Sequence, residues 1–212
     1  MKSGITKECY IACCSKEVKD IVEDYGYNAI ITDPELQSGT DRIFEASKSI
    51  DRHLNDDDII INLQGDMPVF DESILHKIVD ILEKDRSIDM STPVSIIKDI
   101  SKINDKNCVK VVFNNMEKNI PGKALYFSRE SIPSGSDIFY KHIGIYAYRY
   151  HALKRFVSLE RSYLEETEKL EQLRALQNNI NIFAVPVESY SFSVDVREDL
   201  NQIFEFLSSN KL

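Results

Sequence analysis

The run Asp58-Ile-Ile-Ile-Asn-Leu63, closed at once by Gln64-Gly-Asp-Met-Pro68, limits the possible folds more than any other stretch of the chain. A continuous apolar segment of this length, bounded by turn residues, reads as a buried strand of a sheet covered by helices on its faces. Around it, strand and helix periods alternate from the first residues onward, which is the pattern of an α/β layer fold. Further strands are expected at Cys9 to Cys14 (fully buried), Asn28 to Thr32, Met90 to Ile97, Val109 to Phe113, Ala124 to Phe127, Ile143 to Tyr148 and Ile180 to Val187. Helices are expected at Lys16 to Tyr25, from Ser38-Gly-Thr-Asp41 onward, and at Glu72 to Lys84, His151 to Val157, Leu164 to Gln177 and Glu198 to Ser208. No repeat or long linker divides the chain, so one mixed-sheet α/β domain over residues 1–212 is the reading.

Composition narrows the partners. With 26 Lys plus Arg against 35 Asp plus Glu, the net charge of −9 argues against a nucleic-acid partner, whose phosphates require a basic face. It leaves room for a phosphate-bearing small molecule held by local cations or by a metal on carboxylates. No apolar stretch approaches the ~20 residues of a membrane span, and the first residues lack the apolar core of a secretion signal, so a cytoplasmic protein without a membrane partner is expected. Cys9, Cys13, Cys14 and Cys108 have neither disulfide-framework nor zinc spacing and read as buried structural thiols.

Several residues could carry chemistry. Asp66 follows a strand within Gln-Gly-Asp, at the carboxyl end where open α/β sheets bind ligands. Capping of the next turn is its plainer role. Asp195, in Phe192-Ser-Val-Asp-Val-Arg-Glu-Asp199, lies just before the last helix and could equally be a cap. If the two converge they could hold Mg²⁺, which takes one or two carboxylates plus water and phosphate oxygens. In Tyr140-Lys-His-Ile-Gly-Ile-Tyr-Ala-Tyr-Arg149, alternation puts His142, Gly144, Tyr146 and Tyr148 on one face and Ile143, Ile145 and Ala147 on the other. The polar, aromatic face suggests a ligand wall, and a hydrogen-bonded core histidine is nearly as good a reading. Arg129 could grip a carboxylate in bidentate fashion or form a surface ion pair. The charged run from Glu165 to Arg174 reads mostly as a solvated helix face.

Six strings occur in one order: Gln37-Ser-Gly-Thr-Asp-Arg42, Ile61-Asn-Leu-Gln-Gly-Asp-Met-Pro68, Ala124-Leu-Tyr-Phe-Ser-Arg129, His142-Ile-Gly-Ile-Tyr-Ala-Tyr-Arg149, Leu170-Glu-Gln-Leu-Arg174 and Val194-Asp-Val-Arg-Glu-Asp-Leu200. In this order they resemble the 3-deoxy-manno-octulosonate (Kdo) cytidylyltransferase family, the CMP-Kdo synthetases, over essentially the whole chain. The resemblance implies a three-layer α/β fold with a mostly parallel mixed sheet, of nucleotide-diphospho-sugar transferase type. It further implies a homodimer that couples CTP to Kdo with release of pyrophosphate, for lipopolysaccharide. By the same resemblance Asp66 and Asp195 are the catalytic Mg²⁺ ligands. Gln37, Ser38, Gly39, Arg42 and Gln64 belong to the nucleotide side, and Arg129, His142, Tyr146, Glu171 and Gln172 to the sugar pocket. Two alternatives stay open: a relative acting on another acidic 2-keto sugar, and a remnant that folds and dimerises without catalysis.

Three departures from the family pattern stand out. The family's first strand and its basic Pro-Gly-Lys loop have no counterpart, and the chain aligns from the end of the following helix, a difference of roughly 30 to 40 residues or one strand-loop-helix unit. Cys13-Cys14 replaces Thr-Asp, and Met67 stands at an acidic position. Without the basic loop CTP would be held through the metal and Arg42 alone, so weak binding or none is expected.

Overall fold

A computed structural model describes residues 4–188, 191–192, 200–201, 203–204 and 208. The first elements are β1 (Tyr10–Cys13), α1 (Lys16–Asp24) and β2 (Asn28–Ile31), a strand-helix-strand unit whose two strands pair in parallel from Tyr10↔Asn28 to Cys13↔Ile31. Helix α2 (Gly39–Ser47) follows, and its boundary is written in the sequence: the Ser38 hydroxyl accepts from the Asp41 amide at 3.1 Å, as an N-cap should.

The larger sheet collects β3 (Ile59–Asn62), β5 (Met90–Ile96), β6 (Lys110–Phe113), β7 (Gly122–Ser128), β8 (Tyr140–His142), β9 (Tyr146–Arg149) and β10 (Ile182–Pro186), in the order β10-β7-β6-β8-β5-β9-β3. A short β4 (Val69–Phe70) lies outside it and pairs antiparallel with β11 (Ser191–Phe192). The sheet is mixed, as expected. Strands β3, β5, β6 and β10 run one way and β7, β8 and β9 the other. Because the two sets interleave, β5 and β10 are the parallel neighbours of this sheet.

Helices cover both faces, giving three layers. On one face α3 (Ser73–Lys84) buries Ile74, Ile78 and Leu82 against Ile145, Ala147 and Val185. Met67, at the position where an acidic residue was expected, is buried in this same cluster. On the other face α2 and α4 (Tyr150–Val157) meet α5 (Tyr163–Glu168) and α6 (Gln172–Gln177) over Tyr146, Tyr148, Phe127 and Leu173. The alternation read between His142 and Tyr148 therefore holds: Ile143, Ile145 and Ala147 belong to the α3 side, and Tyr146 and Tyr148 to the other.

Several expectations need correction. The strand around Cys9 to Cys14 is not fully buried: Ile11 is exposed, and among the described residues β1 pairs with β2 alone. Helix α1 likewise buries none of its residues, although its apolar positions recur at helical spacing. The cysteines follow suit, since Cys13 is buried but Cys9 and Cys14 are exposed. β3 lies at an edge of the large sheet, paired with β9, so only Asn62 of it is buried.

The stretch Ile143 to Tyr148 is not one strand, because the chain kinks through Ile143–Ile145, where the Ile145 amide donates to the Ile143 carbonyl at 2.7 Å. The helix read as Leu164 to Gln177 is two. It breaks at Lys169, which adopts left-handed geometry with φ 57°, and the Glu168 carboxylate is drawn off to Ser128 (2.8 Å) and the Arg129 amide (3.0 Å). The charged run is accordingly less solvated than expected: Glu165 and Arg174 form a buried ion pair at 3.2 Å, with the guanidinium 4.3 Å above the Phe156 ring. The helix read at Glu198 to Ser208 falls partly outside the described residues, and those described within it are helical.

Candidate active site

The α2 N-terminus and the end of β3 bring two of the motifs together. A Cβ built on Gly39 would sit 2.9 Å from Gln64 Oε1 and 3.1 Å from Nε2, so the Gln64 amide lies directly against the Gly39 backbone. Glycine is required here for close approach, since its φ is ordinary and no turn demands it. Gly39, which follows Gln37 and Ser38 in the chain, thus meets Gln64 at the carboxyl end of β3, where sheets of this class bind ligands. Beside them a cavity of about 430 Å³ is lined by Gln37, Asp41, Phe44, Leu159 and Arg174 among others.

Behind this contact runs a buried polar seam. The Thr40 hydroxyl donates to Glu171 Oε1 at 2.5 Å, linking α2 to the N-cap of α6. The Ser38 hydroxyl donates to Asp41 Oδ2 at 2.8 Å, and the Tyr148 phenol lies against Thr40 and Asn62. Burial raises the Glu171 pKa above the usual carboxylate range, with Thr40 and Arg174 opposing that rise. Burial also raises Tyr146 and Tyr148, so both phenols stay protonated. Two atoms of the seam, Asn62 Nδ2 and Glu171 Oε2, are sealed from solvent with no hydrogen-bond partner among the described residues. An unmade bond of this kind costs about 1–3 kcal/mol, and a ligand group reaching the seam would recover it.

An aromatic wall continues from the seam. Tyr148 and Tyr146 have ring centroids 5.7 Å apart, Tyr146 and His142 5.2 Å, and His142 meets Phe127 edge-on at 5.3 Å. Burial pushes the His142 pKa down to about 3, so the ring is neutral at physiological pH. Gln172 is buried one residue beyond Glu171.

The remaining sequence candidates sit differently. Arg42 Nη1 donates to Thr32 Oγ1 (2.6 Å) and the Asp33 carbonyl (3.2 Å), tying α2 to the end of β2. Arg129 spends its guanidinium on main-chain carbonyls of Lys106, Glu168 and Lys169, and so braces the turn that delivers Glu171. Asp66 is exposed in the turn after β3 and has no hydrogen-bond or ion-pair partner among the described residues. Asp195 lies outside the described residues. No group of three His, Cys, Asp or Glu side chains gathers at a metal-binding spacing among the described residues. Sequence reasoning missed Thr40 and Asn62 as site members, whereas Tyr148 belonged to the aromatic face read as a ligand wall. The signal for Asn62 was present, as the one polar residue interrupting an apolar strand.

A family profile described as Cytidylyltransferase matches residues 1–182. The 3-deoxy-manno-octulosonate cytidylyltransferase of Rickettsia typhi is 41% identical over 201 residues, covering 95% of this chain and 80% of that protein. The chain belongs to this cytidylyltransferase family. The Rickettsia bellii member is 40% identical over 205 residues, with 96% and 80% covered. Among solved structures, a CMP:2-keto-3-deoxy-manno-octonic acid synthetase complexed with CTP superposes with a TM-score of 0.86 at 30% identity, over 97% of this chain and 83% of that one. An apo UDP-glucose pyrophosphorylase, at TM-score 0.62 and 11% identity, covers 93% of this chain and 69% of its own and shares the fold alone. The nucleotidyltransferase-type α/β fold implied by the motif order is therefore the fold of this chain.

Proposed function

We propose that this family member couples CTP to Kdo, giving CMP-Kdo and pyrophosphate. The observation that carries the reading is the close approach of Gly39 to Gln64 at the carboxyl end of β3, backed by the polar seam. Kinship with the R. typhi enzyme over 95% of the chain supports the choice of substrates. In the reaction a sugar hydroxyl attacks the α-phosphorus of CTP in line, a new O–P bond forms, and the bond to the β-phosphate oxygen breaks. Nothing covalent is asked of the protein, so positioning and charge neutralisation carry the rate. Gln37, Ser38, Gly39, Arg42 and Gln64 would hold the nucleotide, and His142, Tyr146, Glu171, Gln172 and Arg129 the sugar side.

Asp66 and Asp195 would hold Mg²⁺. The exposed carboxylate of Asp66, unpartnered among the described residues, fits a hard cation that takes one or two carboxylates and fills its other positions with water and phosphate oxygens. Phe192, three residues before Asp195 in the sequence, is paired with Val69, three residues after Asp66. Bound there, Mg²⁺ would neutralise triphosphate charge. The homodimer, the cytoplasmic location and the lipopolysaccharide role remain with this proposal, and light scattering on the purified chain tests the first.

A second reading, a domain that folds without turnover, is favoured by the exposed Ile11, Ile21 and Ile31 of the β1–α1–β2 unit. Incubation with CTP, Mg²⁺ and a panel of Kdo, 8-amino-Kdo and a sialic acid, following pyrophosphate, separates the readings. Release with Kdo above the others is expected. Release with none of them, in a folded protein, would select the second reading.

A further inference from the structure

The hydroxyl of Thr92, a fully buried residue of β5, touches three groups. It lies 2.8 Å from the Ile145 carbonyl, 3.2 Å from the Ile143 carbonyl and 2.9 Å from His142 Nε2. A hydroxyl has one proton to give, and carbonyl oxygens can only accept. The Ile143 carbonyl already receives the Ile145 amide at 2.7 Å, whereas the Ile145 carbonyl is the nearer to Thr92. The Thr92 proton therefore goes to Ile145. Giving it to the imidazole instead would aim oxygen lone pairs at two carbonyls within 3.2 Å.

With its proton spent, the Thr92 oxygen can only accept from the ring, so Nε2 carries the hydrogen of His142. The neutral ring then has a bare Nδ1. That nitrogen has no partner among the described residues, and it is not among the atoms sealed from solvent. The kink at Ile143–Ile145 gains a purpose from this: it turns two carbonyls toward Thr92 that a regular strand would direct along the ladder.

We infer that Thr92 is a positioning residue that locks His142 in the Nε2–H tautomer, so that His142 Nδ1 accepts a hydrogen bond from a hydroxyl of the sugar and disfavours a carboxylate at that spot. The inference rests on the reading of His142 as part of the sugar pocket. It names what the pocket selects there, a hydroxyl donor, which leaves the acid group of the substrate to be bound by other residues.

The full chain labelled with ¹⁵N-histidine tests the lock without any substrate. Long-range ¹H–¹⁵N correlation tells which ring nitrogen of His142 carries the proton, with His142→Gln identifying its signals. The wild type and Thr92→Ser should show Nε2 protonated and Nδ1 bare, and Thr92→Val should lose that pattern. In turnover assays Thr92→Val should raise the KM for Kdo about tenfold, the value of one hydrogen bond, with the KM for CTP unchanged, and Thr92→Ser should restore it. A protonated Nδ1 in the wild type, or an unaltered spectrum in Thr92→Val, would overturn the lock. The expected spectra with an unmoved KM for Kdo would overturn the hydroxyl assignment. Wild-type protein that shows the locked spectrum but no turnover would instead refute the cytidylyltransferase reading, so the two failures are distinguishable.

Discussion

Substituting Gly39 by alanine isolates the contact on which the nucleotide side of the site depends. The new Cβ would sit 2.9 Å from Gln64 Oε1, about 0.5 Å inside an ordinary carbon–oxygen contact. What it meets is the end of a flexible side chain, so Gln64 can yield by leaving its rotamer well at a cost of about 0.5–1.5 kcal/mol. Alanine as the first residue of α2 offsets up to about 1 kcal/mol through its helix preference over glycine. Stability should therefore change by less than about 1 kcal/mol, or under roughly 4 °C in Tm. Ligand binding should not be spared, because the displaced amide can no longer meet the nucleotide. The loss of about one hydrogen bond predicts a Kd for CTP raised roughly tenfold by calorimetric titration with Mg²⁺ present. Gln64→Ala should show the same loss, and the double variant should be no worse than either, a coupling as large as the effect itself. Gly39→Ala binding CTP like the wild type while Gln64→Ala is impaired would refute the argument, as would a Tm drop far beyond 4 °C.

Other consequences are testable by standard means. Arg149 is buried and donates to the carbonyls of Leu82, Asp85 and Ile88 at the end of α3, so Arg149→Met should strand them and cost about 2–4 kcal/mol in urea unfolding, with CTP affinity of the folded fraction intact. The raised pKa of Glu171 means that the folded state holds its proton longer than the unfolded chain. That contribution to stability is complete below pH ~4.5 and is lost as pH climbs through the raised value, so Glu171→Gln should flatten this decline in a pH series of denaturation curves. His142 works in the opposite sense. Its folded pKa of about 3 lies below that of the unfolded chain, so its contribution is present above pH ~6.5 and falls, by at most about 1.4 kcal/mol per pH unit, as pH drops toward 3; His142→Gln should remove that slope.

Local signals in the sequence were reliable where short-range physics decides the outcome. Ser38 is an N-cap because its oxygen meets an amide three residues on, and the two faces of the His142–Tyr148 stretch follow from side-chain alternation, which survives even the kink between them. The misses share a cause, in that long-range partners overrode local pattern. The helix breaks at Lys169 because Glu168 finds Ser128 and Arg129 some forty residues away, and no periodicity reports that. Thr40 and Thr92 look like ordinary helix and strand residues until Glu171 and His142 arrive from distant parts of the chain. Apolar spacing in α1 and β1 identified the elements correctly but overestimated their burial, since burial depends on what packs against them. The six ordered motifs were more informative than any one of them, because their order reflects the whole topology.

Pyrophosphate release from CTP and Kdo by the wild type and by Asp66→Ala, at saturating Mg²⁺, tests the central claim most directly. Asp66 is exposed and unpartnered among the described residues, so its loss should leave Tm within about 2 °C while turnover falls by at least about a hundredfold. One pyrophosphate per CMP-Kdo from the wild type, with that loss in the variant, is the predicted result. A folded wild type without turnover, or an Asp66→Ala protein of undiminished activity, would contradict the account.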